Sequence, residues 1–501
     1  MFVSPSRIAL TMLTVTLAAA AGCSRPPRLA ADLVVTHARA WTGNPAQPEA
    51  AAIAIIGDRI VEVGDADQID RWRGANTTVI DAEARRVVPG FNDALVRFVD
   101  GGTQLDSVDL RDAGTPAEFA RRIGERSRAK PGEWIVGGQW DDRSWDPSNP
   151  PTRALIDDVT NSSPVFVVRY DGRMALANAA ALGRAGITEH TADPSGGAIV
   201  RDANGFPNGL LTGAAIALVG GIVPKTTLEQ RVHAVKRALE VAESLGVTSV
   251  QDVHASPEDV AAYSDLAGRG ELTVRIYAMP AEAGWYDQAK LGVRRAFGSP
   301  WLRIGAVHAV LDRGGDSDEQ RTRLMAADHA GLQLSVEPAG DDTSAAALDV
   351  LDEIVRANGG RDRRFRIDAS RAALQDGGRV AALNAIAVFR PSAVAPGRAL
   401  IDQRVRVALG SGWPDAPLNP MLTLRAAIDR QWTAAEALAA HTSGSAVAEF
   451  QESEKGTIAR GKLADLVVLS DDILSIPAAQ IGNVRALTTI VGGRVVHQRN
   501  P

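Results

Sequence analysis

Between residues 228 and 409 helical stretches alternate with short apolar runs, and this alternation restricts the fold more than any other feature of the chain. A helix over about 228–245 leads into strand-like runs at 246–253, 273–278, 302–311, 331–336, 364–367 and 405–409. Strands separated by helices run parallel and are covered on both faces, so a series this long is expected to close into a barrel. An earlier run, Val88-Pro89-Gly90-Phe91-Asn92-Asp93-Ala94-Leu95-Val96-Arg97-Phe98, breaks at Pro-Gly and then alternates, as an entry strand does. Residues two apart share a face of a strand, so Leu95 and Arg97 are expected to point the same way. A chain of 501 residues has room for one barrel and a smaller satellite domain.

The two ends of the chain complement each other. Short strands are expected at 32–39, 51–56, 59–63, 78–81 and 85–88, with Gly57-Asp58 as a hairpin turn. Partners for them lie at 456–458, 464–469 and 488–496. The closing motifs KGTIARGKLADLVVLS and TIVGGRVV, together with VPGFNDA, GGQWD, SGGAIVRD, GVTSVQD and GSGWP, resemble the amidohydrolase superfamily. Within it they are most similar to the branch of D-aminoacylases and N-substituted formamide deformylases. The resemblance implies an α/β fold: a TIM (β/α)8-type barrel over 89–451, with an insertion at about 104–215 over the barrel mouth. It also implies a small β-sandwich composed of 32–88 and 452–501. The connections from Asp312 to Arg321 and from Ser370 to Val405 look short for the family.

The first 22 residues combine a positive Arg7, an apolar run and small residues before Cys23, the pattern of a cleaved signal peptide. These small residues resemble a bacterial lipobox, which implies a mature chain lipidated at Cys23, a tether over 23–31 and a place in the bacterial cell envelope. Ser24 after the cysteine suggests the outer membrane, with the protein facing the periplasm. The membrane is therefore an expected partner. Cys23 is the only cysteine, so no disulfide forms within the chain. A net charge of −6 and the lack of any Lys/Arg run argue against nucleic acid as a partner.

The family places a catalytic zinc or another divalent metal at the carboxyl ends of its barrel strands, held by side chains with lone pairs. Where the resemblance expects a pair of histidines, this sequence has Leu95 and Arg97. Leucine has no lone pair, and a guanidinium does not lose its proton. A fixed cation about 4 Å from a divalent ion costs roughly 8 kcal/mol at an effective dielectric of 20. Further on, His308 replaces a lysine, Glu337 a histidine, Asp368-Ala369 a Glu-His pair and Gly412 the aspartate expected as ligand and general base, while Asp312 is kept. Arg173 likewise replaces a histidine. The expectation is a chain with no catalytic metal cofactor, inactive as a metal-dependent hydrolase, that acts as a binding or interaction protein, with a small amide-like compound as one candidate ligand. The alternative is a hydrolase of non-peptide C–N bonds with a recast or metal-free site. Candidate pocket residues are Arg97, Arg173, His254, His308, Asp312, Glu337 and Asp368, with Arg97 expected to pair with Glu337 or Asp368. His254, His308 and Glu337 are either a two-histidine, one-carboxylate metal set or a loop histidine beside a hydrogen-bonded barrel histidine. Trp134, Trp140 and Trp145 either line an apolar lid or pack within the insertion.

Overall fold

The computed structural model describes residues 29–143, 145, 150–311, 318–340, 343–368, 376–390 and 398–499. Eight strands form a parallel series: Phe91–Val96, Val247–Val253, Arg275–Met279, Ala306–Leu311, Gln333–Pro338, Arg366–Asp368, Ile386–Phe389 and Arg406–Leu409. Ladders join the first three and the last five. Single parallel bridges, Ala281 to His308 and Val96 to Trp413, link the two groups at both edges and complete the ring of a TIM-barrel-type α/β fold.

Period-two alternation sorts the side chains of these strands. Val307 and Ala309 join the large apolar core between strands and helices, as do Leu334 and Val336. Leu95, Val253, Met279, Ala306, Ile386, Val388 and Ala408 share a separate interior cluster. Below it the interior is polar: the fully buried Arg366 donates to Gln251 and to the Ala94 carbonyl. The outer helices start where the sequence directs them. Leu228–Ser244 is closed by a capping box of Thr227 and Gln230, and Pro257–Gly268 by Ser256 and Asp259 with proline in its first turn.

The seventh strand, Ile386–Phe389, lies inside the connection expected to be merely short, which also contains the helix Gly377–Ala382. That expectation is corrected: four residues of IAVF are too brief for alternation to stand out from a loop. The other connection regarded as short, beginning at Asp312, lies largely outside the described residues.

Strands from both chain ends share one six-stranded sheet, in which Leu466–Leu469 lies between Arg86–Pro89 and Ala486–Val491. Leu33–Thr36 belongs to a second, four-stranded sheet with Ala52–Ile56 and Arg59–Gly64. Residues 456–458 form no strand; the Ile458 amide instead donates to the Thr42 carbonyl at 2.8 Å. Arg275 of the barrel makes a buried two-pronged pair with Asp465, at 2.7 and 2.8 Å, and so ties the barrel to the terminal sheet. A third sheet of six strands spans Val108 to Gly213 and has its own apolar core.

Candidate functional site

His308 is the third residue of the fourth barrel strand, and its backbone register partner on the fifth is Ser335. Both are buried, and Ser335 shares its strand face with Glu337, two residues closer to the carboxyl end. The Ser335 hydroxyl lies 3.1 Å from His308 Nδ1, while Nε2 faces Glu337 Oε2 at 3.4 Å. His254 follows the second strand in a left-handed backbone conformation, φ 59°. Its ring stands edge-to-face with that of His308, centroids 4.3 Å apart. One ligand atom from each of His254, His308 and Glu337 lies within 4.8 Å of the other two.

Electrostatics keep the three distinct. Burial, aided by the charge of His308, lowers the His254 pKa to about 4, so its imidazole is neutral near pH 7. Burial works against ionisation of Glu337, but the His308 hydrogen bond and the charges of His308, Arg390 and His254 outweigh it and hold the carboxyl below its ordinary value.

The main residue that sequence reasoning missed is Arg390. It continues the inner face of the seventh strand after Ile386 and Val388, a parity visible only once that strand is recognised. Its Nη2 lies 3.4 Å from both Glu337 Oε1 and Asp368 Oδ2. Its stem lies against the Gly412 backbone, where a Cβ would stand 2.4 Å from Arg390 Cδ.

Arg97 does not take the expected part. It follows the strand, precedes the helix Phe98–Asp106, and turns to Asp415 at 2.7 Å and Asp100 at 3.4 Å. Its amide is held by the Trp413 carbonyl at 2.8 Å, which directs the side chain toward the loop after the eighth strand. The pairing with Glu337 or Asp368 is therefore Arg390's. Arg173 is exposed in the turn after Asp171, and among the described residues it meets none of the barrel carboxylates. The lid reading of the tryptophans is also corrected for two of them. Trp140 and Trp145 are buried in the core of the 104–215 segment, donating to the carbonyls of Val167 and Ala113. Trp134 lines a cavity of about 600 Å³ beside Asp106, Lys130 and His233, none of them a barrel-mouth residue. Asp312 and Ala369 lie outside the described residues, as does Cys23.

Two further buried carboxyls organise the rim. Asp93 accepts from the amides of Leu95 and Ser411, and Asp252 accepts from the Phe98 amide and the Tyr263 hydroxyl. Burial raises them to about 7 and about 8 respectively.

The positions from which the resemblance would supply metal ligands do not fit a metal held in the family's manner. Leu95 is part of the apolar interior, Arg97 is a cation paired elsewhere, and the space beside Gly412 is filled by an arginine stem. The molecule is thus a TIM-barrel-type α/β protein whose mouth gathers two imidazoles, two carboxylates and a guanidinium.

Residues 78–497 match the model of the amidohydrolase family, and the chain belongs to that family. Protein LONG AFTER FAR-RED 3 of Arabidopsis thaliana is 30% identical, over 94% of this chain and 92% of that protein. N-substituted formamide deformylase of Arthrobacter pascens is 26% identical, over 93% and 98%. Among solved structures, an uncharacterized metal-dependent hydrolase from Pyrococcus furiosus superposes with a TM-score of 0.70 at 21% identity, covering 88% of this chain and all of that one. The structural likeness shows the fold.

Proposed function

We propose that this amidohydrolase-family chain acts as a binding protein for a small amide-like compound and does not hydrolyse such compounds as a metal-dependent enzyme. The observation that carries this reading is Arg390, whose guanidinium lies between Glu337 and Asp368 and whose stem fills the space beside Gly412. A cation and a glycine thus meet where the family resemblance calls for a cationic metal and a carboxylate base. With glycine at that position, the base the resemblance expects is missing, and a proton from an attacking water would have to go to another residue. The guanidinium also offers a fork of donors suited to the carbonyl or carboxylate of an N-acyl compound. The deformylase relative points to N-substituted formamides as one ligand class, and the D-aminoacylase resemblance to N-acyl amino acids.

The same reading takes 32–88 with 452–501 as a composite β-sandwich and 104–215 as a cover over the mouth. Support for the cover comes from Arg111, which donates to the Pro414 carbonyl beside Asp415. It also takes the chain as lipid-anchored through Cys23 and held at the outer membrane facing the periplasm. In cell fractionation, Cys23→Ser is expected to move the protein from the membrane to the soluble fraction; continued membrane association would refute the anchor.

N-substituted formamides and N-acyl amino acids are expected to raise the melting temperature of the purified protein saturably, with no product formed, and Arg390→Ala is expected to abolish the shift. Turnover of either class that disappears in Glu337→Gln would instead establish the second reading, a hydrolase of C–N bonds with a recast site. The juxtaposition of His254, His308 and Glu337 favours that alternative.

A further inference from the structure

We propose that the cavity of about 600 Å³ between the 104–215 segment and the helices Phe98–Asp106 and Leu228–Ser244 binds a zwitterion with an apolar body, a free amino acid or a short peptide. Its volume falls in the range of about 300–1,000 Å³ usual for small-molecule sites. Two walls form it. The barrel side contributes Thr103, Asp106, Glu229, His233 and Ala234 from those two helices, which meet so closely that a Cβ on Gly102 would collide with the Ala234 carbonyl oxygen. The other side contributes Arg126 and Lys130 at the end of the helix Pro116–Ala129, with Trp134 and Val136 beyond it.

The charges on these walls indicate the ligand. Asp106 pairs with His233 at 2.9 Å, and Lys130 lies 4.0 Å from Glu133. That leaves Arg126 and Glu229, and neither side chain has an ion-pair or hydrogen-bond partner among the described residues. They come from different walls, Arg126 from the last turn of one helix and Glu229 from the first turn of the other. A guanidinium holds a carboxylate through paired donors, and a carboxylate holds an ammonium. A simple anion would suit Arg126 and be repelled by Glu229, and a simple cation would meet the reverse. One molecule that carries both charges satisfies both residues.

The body of the ligand is set by Trp134, Val136, Val223 and Pro224, which make part of the lining apolar. Trp134 is half-buried and packs on the cluster that contains Phe166 and Leu182, with the Arg184 guanidinium 5.6 Å from its ring centre. These contacts hold the indole in place, so an aromatic or branched side chain of the ligand meets a surface that is already ordered, which lowers the entropic cost of binding. Acylation of an amino group removes the ammonium, so the N-acyl compounds proposed for the barrel mouth are poor ligands here. The two sites take different ligands, and neither proposal rests on the other.

The test is calorimetric titration of the purified full chain with L-phenylalanine and with phenylalanyl-phenylalanine, followed in parallel by tryptophan emission. One ligand per chain is expected, with a change in emission that Trp134→Phe reduces. Whichever of the two binds more tightly identifies the source, amino acid or peptide. Phenethylamine, which lacks the carboxylate, and 3-phenylpropanoate, which lacks the ammonium, are each expected to bind about 10- to 100-fold more weakly. Arg126→Gln and Glu229→Gln are expected to weaken binding of the zwitterion by a similar factor, and Arg390→Ala to leave it unchanged. If Trp134→Phe fails to fold, the two charge variants decide the question. No binding of either zwitterion, equal binding of a singly charged compound, loss of binding in Arg390→Ala, or unchanged affinity in both Arg126→Gln and Glu229→Gln would overturn the site.

Discussion

At the scale of single residues, the barrel mouth is decided by which cation sits among the carboxylates. Arg97 and Arg390 are chemically identical, yet only Arg390 lies on the inner face of a barrel strand, and only it reaches Glu337 and Asp368. Gly412 accompanies it. At φ 73° the backbone is strained for any side chain, and a Cβ there would collide with the arginine stem. Gly412→Asp is therefore expected to cost about 1–3 kcal/mol through overpacking. Arg390→Ala is expected to cost a similar amount, about 1–3 kcal/mol, by removing a cation from the buried Asp368. Because the stem causes the clash, the double variant should lose less than the sum of the two, by about 0.5–3 kcal/mol. Urea unfolding of the four proteins measures this coupling, and strict additivity would contradict the packing described for Gly412.

At the scale of elements, a short strand carries more information than its length suggests. Ile386–Phe389 has four residues, but its parity places Ile386 and Val388 in the interior and, continuing past its end, Arg390 at the mouth. The fourth and fifth strands act similarly through register: pairing His308 with Ser335 brings a hydroxyl to Nδ1 and places Glu337 one inward-facing position further along. The 104–215 segment is an element of a different kind. Phe119 meets Trp140 and Trp145 edge-to-face in its own core, so these aromatic residues hold the segment together, while Trp134 lines the neighbouring cavity.

At the scale of the whole molecule, buried titratable groups set how stability changes with pH. Burial raises Asp93 and Asp252 from 3.8 to about 7 and about 8, and lowers His254 and His441 from 6.5 to about 4. Between about pH 4 and 6.5 the folded state keeps protons on the two aspartic acids that the unfolded chain has released, which makes stability fall as pH rises. Over the same range the unfolded chain keeps protons on the two histidines that the folded state lacks, which makes stability rise. Each group acts at no more than about 1.4 kcal/mol per pH unit, and solvent at the rim weakens the His254 part, so the two tendencies largely offset. Above pH 6.5 the histidines are neutral in both states, and stability should fall as pH rises through about 7 and 8. Midpoints of thermal unfolding between pH 6.5 and 8.5 measure the descent; Asp252→Asn should flatten it, and a wild-type midpoint that is level or rising would contradict the assignment.

The sequence by itself determined the alternating strands and helices of the barrel; its resemblance to the family added the pairing of the two chain ends and the loss of lone-pair donors at Leu95, Arg97 and Gly412. Strand periodicity, turn residues and motif wording are local properties, readable along the chain. It also singled out His254, His308 and Glu337, because strand ends identify the barrel mouth. Only the tertiary structure decided which arginine meets which carboxylate, since Arg390 and Glu337 stand 53 positions apart and face each other through the curvature of the barrel. It decided likewise that Trp140 and Trp145 pack inward and that His308 is pinned by Ser335. Those outcomes depend on register and closure, which join residues distant in the chain and leave no mark on any single stretch of it.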